Sequence, residues 1–235
     1  MGYVRTCSLG FPIAIFVSPV VHPKIGDTRH LAQLELGGRG VRIYVTGGEM
    51  VRAEDVISIY QRLLADDIQV WLTGGWGIDA LLREQTRPHK DLDVIMLVDD
   101  VVRMRELLGG DGYGLKELWS ENRWVVDARG AETATAFVLQ DSEGREIDAH
   151  AMRLDDRGNG LPAWEAEGRV FERQDLAGEG MIAGFAVRCL APEMQMLCHT
   201  GYELPDEQLR DLELLQERFG VECSDEHSRL WQSGA

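Results

Sequence analysis

His89-Lys90-Asp91-Leu92-Asp93-Val94-Ile95-Met96-Leu97-Val98 reads as a loop that turns into a strand. An apolar run follows an Asp-x-Asp pair, and the two-residue period of a strand points Asp91 and Asp93 to one face. Carboxylates held side by side raise one another's pKa unless a cation sits between them. The hard-oxygen partner that suits such a pair is Mg²⁺, which takes one or two carboxylates plus substrate phosphates. A bare Asp-x-Asp also fits a solvated turn, so the residues upstream decide its meaning.

Those residues are Val70-Trp71-Leu72-Thr73-Gly74-Gly75-Trp76-Gly77-Ile78-Asp79-Ala80-Leu81-Leu82-Arg83. β-favouring residues enter a Gly-Gly turn, and Ile78, Leu81 and Leu82 mark a short helix leaving it. Backbone amides without an intrahelical partner, together with the helix dipole, favour a phosphate there, and the missing side chains let it approach. A Gly-Gly turn alone is weak evidence. Followed by Asp-x-Asp on the next strand, it points to nucleotide chemistry.

Gly74-Gly75 with Asp91-x-Asp93 resembles the signature of the DNA polymerase β-type nucleotidyltransferase superfamily. More narrowly, Gly74-Gly75-Trp76-Gly77-Ile78-Asp79-Ala80-Leu81 and Thr86-Arg87-Pro88-His89-Lys90-Asp91-Leu92-Asp93 resemble small antibiotic nucleotidyltransferases of the aminoglycoside 2''-adenylyltransferase and lincosamide type. The resemblance runs from about residue 51 to residue 219. It implies an α+β fold in which a polymerase β-like mixed sheet carries helices on one face and a small helical part follows. It also implies a third carboxylate on a neighbouring strand.

The sequence supplies one. Thr135-Ala136-Phe137-Val138-Leu139-Gln140, a turn at Asp141-Ser142-Glu143-Gly144, and Arg145-Glu146-Ile147-Asp148-Ala149-His150-Ala151-Met152 read as a hairpin with Asp148 inside its second strand. Strands are depleted in Asp, and an unpaired buried charge is costly, so Asp148 either faces solvent or does chemistry. His150 shares its face and is either an orienting group or a satisfied core histidine. Trp119, Trp124 and Trp164 read as packing residues.

The chemistry implied is transfer of a nucleoside monophosphate from an NTP, ATP above all, to a hydroxyl of a small molecule, an aminoglycoside or a lincosamide. Mg²⁺ on Asp91 and Asp93 would grip the triphosphate, whose end rests on Gly74 and Gly75. Asp148 serves as base or as a shared metal ligand. Arg87 and His89 are candidate phosphate or loop-ordering contacts. The resemblance also extends to Tyr202, Glu203 and Asp211, candidate acceptor contacts, but departs at Gln208, where an acid is expected. Two other readings are nucleotidylation of a protein or tRNA and a non-catalytic nucleotide-binding module.

The 235 residues are 44% hydrophobic, enough for a sizeable core, and the net charge is −16. Residues 1–49 hold five Lys+Arg against three Asp+Glu, which leaves 19 against 37, or −18, in residues 50–235. That balance argues against bulk nucleic-acid binding and suits a small cationic or hydroxyl-bearing substrate. The apolar run 11–21 holds Pro12 and Pro19 and is too short to span a membrane. Cys7, Cys189, Cys198 and Cys223 lack paired metal spacing, so free thiols in a reducing cytoplasm are expected. The enzyme is expected to act as a monomer or homodimer.

Three parts are expected: 1–49, a loosely ordered extension or the product of an early start assignment; 50–190, the nucleotidyltransferase domain; and 191–235, a helical segment. Helical spacing of Val56, Ile57, Tyr60, Leu63 and Leu64 predicts a helix ahead of a strand at 68–72. A second helix is expected at 101–108, strands through 124–148, and extended segments at 169–172 and near 185–189. Pro192 opens one helix. Pro205 opens another as its first residue, with Leu209, Leu212, Leu215 and Phe219 as a buried stripe and Gly220 past its end. The carboxylates should lie on the open face of the sheet.

Overall fold

The alternation expected of residues 91–97 holds. Leu92, Val94 and Met96 are buried on one face, and Asp91, Asp93, Ile95 and Leu97 take the other. The computed structural model describes residues 31–36, 39–44, 50–166, 169–199 and 204–221.

A hairpin of β1 (Leu31–Leu36) and β2 (Arg39–Tyr44) comes first. The main body follows in the order α1 (Ala53–Ala65), β3 (Val70–Thr73), α2 (Gly74–Leu82), β4 (Asp91–Leu97), α3 (Val101–Gly110), β5 (Gly114–Leu118), β6 (Trp124–Val126), β7 (Glu132–Ala134), β8 (Ala136–Gln140) and β9 (Glu146–Leu154). It ends with β10 (Gly160–Pro162), β11 (Gly178–Ile182), β12 (Phe185–Cys189), α4 (Pro192–Cys198) and α5 (Asp206–Phe219). The mixed sheet runs β11-β12-β3-β4-β9-β8-β5, with β10 added beside β9. β4 pairs antiparallel with β3 and parallel with β9, which places it centrally. The fold is α+β, as expected.

One face of the sheet carries the large core. Val70 and Leu72 of β3, Leu92, Val94 and Met96 of β4, and Ile147, Ala149 and Ala151 of β9 pack there with Leu63 of α1, Ile78 of α2 and Met104 of α3. Met196 of α4 and Leu215 of α5 join the same cluster, so the last two helices share the core of the sheet. α1 is further tied down by Asp55, which accepts from the Arg52 amide and pairs with Arg145 beside the β8–β9 turn.

Four expectations change. The opposite face is open only in part, because Trp71, Ile95, Met152, Phe171, Leu190 and Met194 form a second apolar cluster beyond the acids. Around residues 169–172 the only pairing among the described residues is the bridge of Phe171 to Gly160, not a strand. Pro205 is the residue before α5, not its first, and Gly220 ends the helix in the left-handed region at φ 68°. Leu209 and Phe219 are 46% and 40% exposed, because α5 turns Asp211 and Leu215 inward.

Candidate active site

Register brings the three acids together. Thr73 of β3 stands opposite Asp93 of β4, which stands opposite Asp148 of β9, and Asp91 lies beside Glu146. All belong to the face left by the period-two alternation, so strand pairing alone places residues 55 positions apart as neighbours. Asp93 and Asp148 are partly buried, and neither Asp91 nor Asp93 forms an ion pair among the described residues.

The electrostatics follow. Burial pushes the Asp93 carboxyl well above the usual range, Asp91 and Asp148 push it further, and His150 and Arg87 oppose. Burial also raises Asp91, with Asp148 and Glu146 adding and Lys90 opposing. Burial and neighbouring acids thus raise both carboxyls, and such a pair is suited to a cation that offsets the shared charge. Among the described residues no group of three or more His, Cys, Asp or Glu side chains is gathered closely enough to hold a metal ion. A pair of carboxylates on one strand face would suit an ion that completes its shell with substrate oxygens and water, as Mg²⁺ does.

The glycine pair lies inside the first turn of α2, not in a turn ahead of it. Gly74 has φ +58°, and a Cβ added to it would lie 2.1 Å from Asp93 Oδ2. A Cβ on Gly75 would lie 2.2 Å from His89 Nδ1. Thr73, at the helix N-cap, makes no capping bond; its hydroxyl donates to Gln195 Oε1 at 3.2 Å, while Gln195 Nε2 donates to Leu72 O at 3.1 Å. The amides opening α2 thus lack a side-chain cap and stand beside Asp93, where an anion would meet them. Gly75→Ala should cost about 1–3 kcal/mol through overpacking against His89, read as a lower melting temperature together with lost turnover.

His89 is 2% exposed, with Nε2 bonded to Asp79 Oδ2 and its ring 4.9 Å from that of Trp76. Asp79 also accepts from the Thr86 amide and hydroxyl. The ring therefore orders the β3–β4 region and shapes the floor beneath Gly75. Arg87 donates through Nε and Nη2 to Asp211 Oδ2 at 3.0 and 2.8 Å, and its Nη2 lies 3.1 Å from where a Gly75 Cβ would be. Asp211 is 1% exposed and engaged by Arg87; Tyr202 and Glu203 lie outside the described residues. Arg87→Met would leave Asp211 buried without its cation, at a cost of about 3–5 kcal/mol. At roughly 2–4 °C per kcal/mol for a chain of this size, thermal unfolding should report a fall on the order of 10 °C.

Asp148 is engaged by His150, which shares its face, and by Trp119, which sequence reasoning missed. Trp119 Nε1 donates to its Oδ1 at 2.9 Å, and His150 Nδ1 lies 3.3 Å from the same oxygen. His150 Nε2 reaches Glu121 Oε1 at 3.4 Å, and Trp164 packs edge-on against the ring. Burial alone would lower the His150 pKa, but its bonds to Asp148 and Glu121 raise it to about 9. The His150 bond in turn holds Glu121 at about 2. His150 thus stands between Asp148 and Glu121, in contact with both. Nothing in the local sequence marks Trp119 or Glu121, since their roles arise from β8 laying residues 119–123 alongside β9.

A family model described as aminoglycoside-2''-adenylyltransferase matches residues 55–215, which span the three acids, the glycine pair, α4 and most of α5. The chain belongs to that family. It is accordingly an enzyme, an antibiotic nucleotidyltransferase. A lincosamide resistance protein of Staphylococcus haemolyticus is 26% identical over 149 residues, 63% of this chain and 84% of that protein. Among solved structures, the lincomycin-bound lincosamide antibiotic adenylyltransferase LnuA is 25% identical with a TM-score of 0.60, covering 72% of this chain and 98% of that one. ANT(2'')-Ia in complex with adenylyl-2''-tobramycin shares the fold at 18% identity and a TM-score of 0.58, covering 77% of this chain and 95% of that one. No helix among the described residues is long and apolar enough to cross a membrane.

Proposed function

We propose that the protein transfers a nucleoside monophosphate from ATP to a hydroxyl of a small antibiotic, with Mg²⁺, in the cytoplasm. The observation that carries this reading is the register of Thr73, Asp93 and Asp148 on three neighbouring strands, with Gly74 packed against Asp93. Asp91 and Asp93 would hold the metal, which supplies positive charge against the charge developing on the transferred phosphoryl group. The uncapped amides at Gly74 and Gly75 would take the end of the triphosphate. Arg87, fixed by Asp211, adds a positive charge there that needs no reorganisation. Asp148 Oδ2 accepts no hydrogen bond among the described residues and is suited to take the acceptor's proton.

The surroundings of Asp148 favour an acceptor of low positive charge. Glu121 is matched by His150, Glu146 by Lys116 and Lys90, and Glu165 by Arg123. A polycationic aminoglycoside would find these carboxylates already engaged, so a lincosamide fits better. The body charge of −18 also speaks against a tRNA acceptor. Pyrophosphate release, followed with Mg²⁺, each of the four NTPs and a panel of lincosamides and aminoglycosides, tests the reading. Release should require ATP, Mg²⁺ and a lincosamide together; release that ignores every antibiotic but responds to added RNA or protein would replace the acceptor.

A further inference from the structure

Trp119 reaches Asp148 from a segment that is built into place. Asn122 Oδ1 accepts from the amides of Thr135 and Ala136 at 2.8 and 3.1 Å, and the Thr135 hydroxyl bonds both the amide and the carbonyl of Arg123. The Trp119 amide donates to Ala136 O at 3.1 Å, and the Glu121 carbonyl accepts from the Glu165 amide at 2.8 Å. Residues 119–123 are thereby pinned around Trp119, the one indole among the described residues that hydrogen-bonds an acid of the site. Satisfying an indole N–H does not explain the contact. Trp119 is only half-buried and could use water, whereas Trp76 Nε1 is buried with no hydrogen-bond partner among the described residues.

Both contacts to Asp148 fall on Oδ1, from Trp119 Nε1 at 2.9 Å and His150 Nδ1 at 3.3 Å. We propose that Trp119, assisted by His150, is a positioning residue for the acceptor side of the reaction: it engages Oδ1 of Asp148 so that Oδ2 faces the acceptor hydroxyl. The inference rests on the reading of Asp148 as the base. The hydroxyl proton passes to Oδ2 as the new O–P bond forms and the bond from the α-phosphorus to the pyrophosphate oxygen breaks. A carboxylate free to rotate would offer either oxygen in many orientations, and the fraction of productive encounters would fall.

Trp119→Phe keeps the ring and removes only the N–H. Its kcat should fall by about tenfold or more, with KM for ATP within about twofold and the melting temperature nearly unchanged. Introduced into Asp148→Asn, the same change should cost nothing further, because there is no base left to orient. An equal loss in both backgrounds, a change confined to KM, or full activity of Trp119→Phe beside an inactive Asp148→Asn would overturn the proposal. Full activity of Asp148→Asn would instead remove the underlying reading of the base. If Trp119→Phe loses its folded circular dichroism signal, Asn122→Ala, which frees the segment but keeps the indole, must show the same fall in kcat and the same lack of effect in Asp148→Asn.

Discussion

Replacing Asp93 by Asn is expected to lower turnover by about 10³-fold or more and, at the same time, to raise the melting temperature of the metal-free protein. The first effect follows from removing half of a two-carboxylate metal site, where charge stabilisation in the transition state amounts to several kcal/mol. The second follows from the raised carboxyl: burial, then Asp91 and Asp148, disfavour the ionised form. A folded pKa above the unfolded one means a contribution to stability that is complete below the ordinary Asp range and lost as pH rises through the raised value. Neutral Asn does not suffer that loss, so the gain should be absent at acid pH and appear as pH climbs. For the same reason Mg²⁺ affinity should increase with pH over that window and then level off. Steady-state turnover measures the first effect, and differential scanning calorimetry across pH, with and without Mg²⁺, measures the other two. A metal-free Asp93→Asn protein less stable than the parent at neutral pH would contradict this account.

Asp148→Asn should reduce kcat by about 10²–10⁴-fold, the range for a lost general base, while leaving Mg²⁺-dependent binding of ATP intact. The separation from Asp93→Asn follows from geometry. Asp91 and Asp93 make no ion pair among the described residues, whereas Asp148 is already engaged by Trp119 and His150. Calorimetric titration of ATP with Mg²⁺ into both variants distinguishes the roles. Loss of binding in Asp148→Asn, equal to that in Asp93→Asn, would make Asp148 a shared metal ligand.

The parts of this site that could be read from the sequence are those written in local pattern. Period-two alternation placed Asp91 and Asp93 on one face, and the Asp141–Gly144 turn set the hairpin that carries Asp148. The spacing of Val56, Tyr60 and Leu63 likewise announced α1. What escaped depends on pairings between distant residues. Asp211 lies 124 positions from Arg87, and their bond turns α5 so that Leu209 and Phe219 stay outside. Gln195, fully buried, holds Thr73 across 122 positions and leaves the α2 amides without a cap. β11, with Gly178 and Gly180 in its five residues, has little strand propensity and exists because β12 pairs with it. Trp119 looked like packing because an indole announces no partner until the neighbouring strand is in place.

The most direct test of the account is a mass measurement on the acceptor. The protein is incubated with Mg²⁺, ATP and lincomycin, in parallel with tobramycin, and with Asp93→Asn as control. The account predicts that lincomycin gains the mass of one adenylyl group with the parent protein, requires Mg²⁺ to do so, and is unchanged by Asp93→Asn. Adenylylation at the parent rate by Asp93→Asn, or no mass gain on any lincosamide or aminoglycoside with any of the four NTPs, would contradict it.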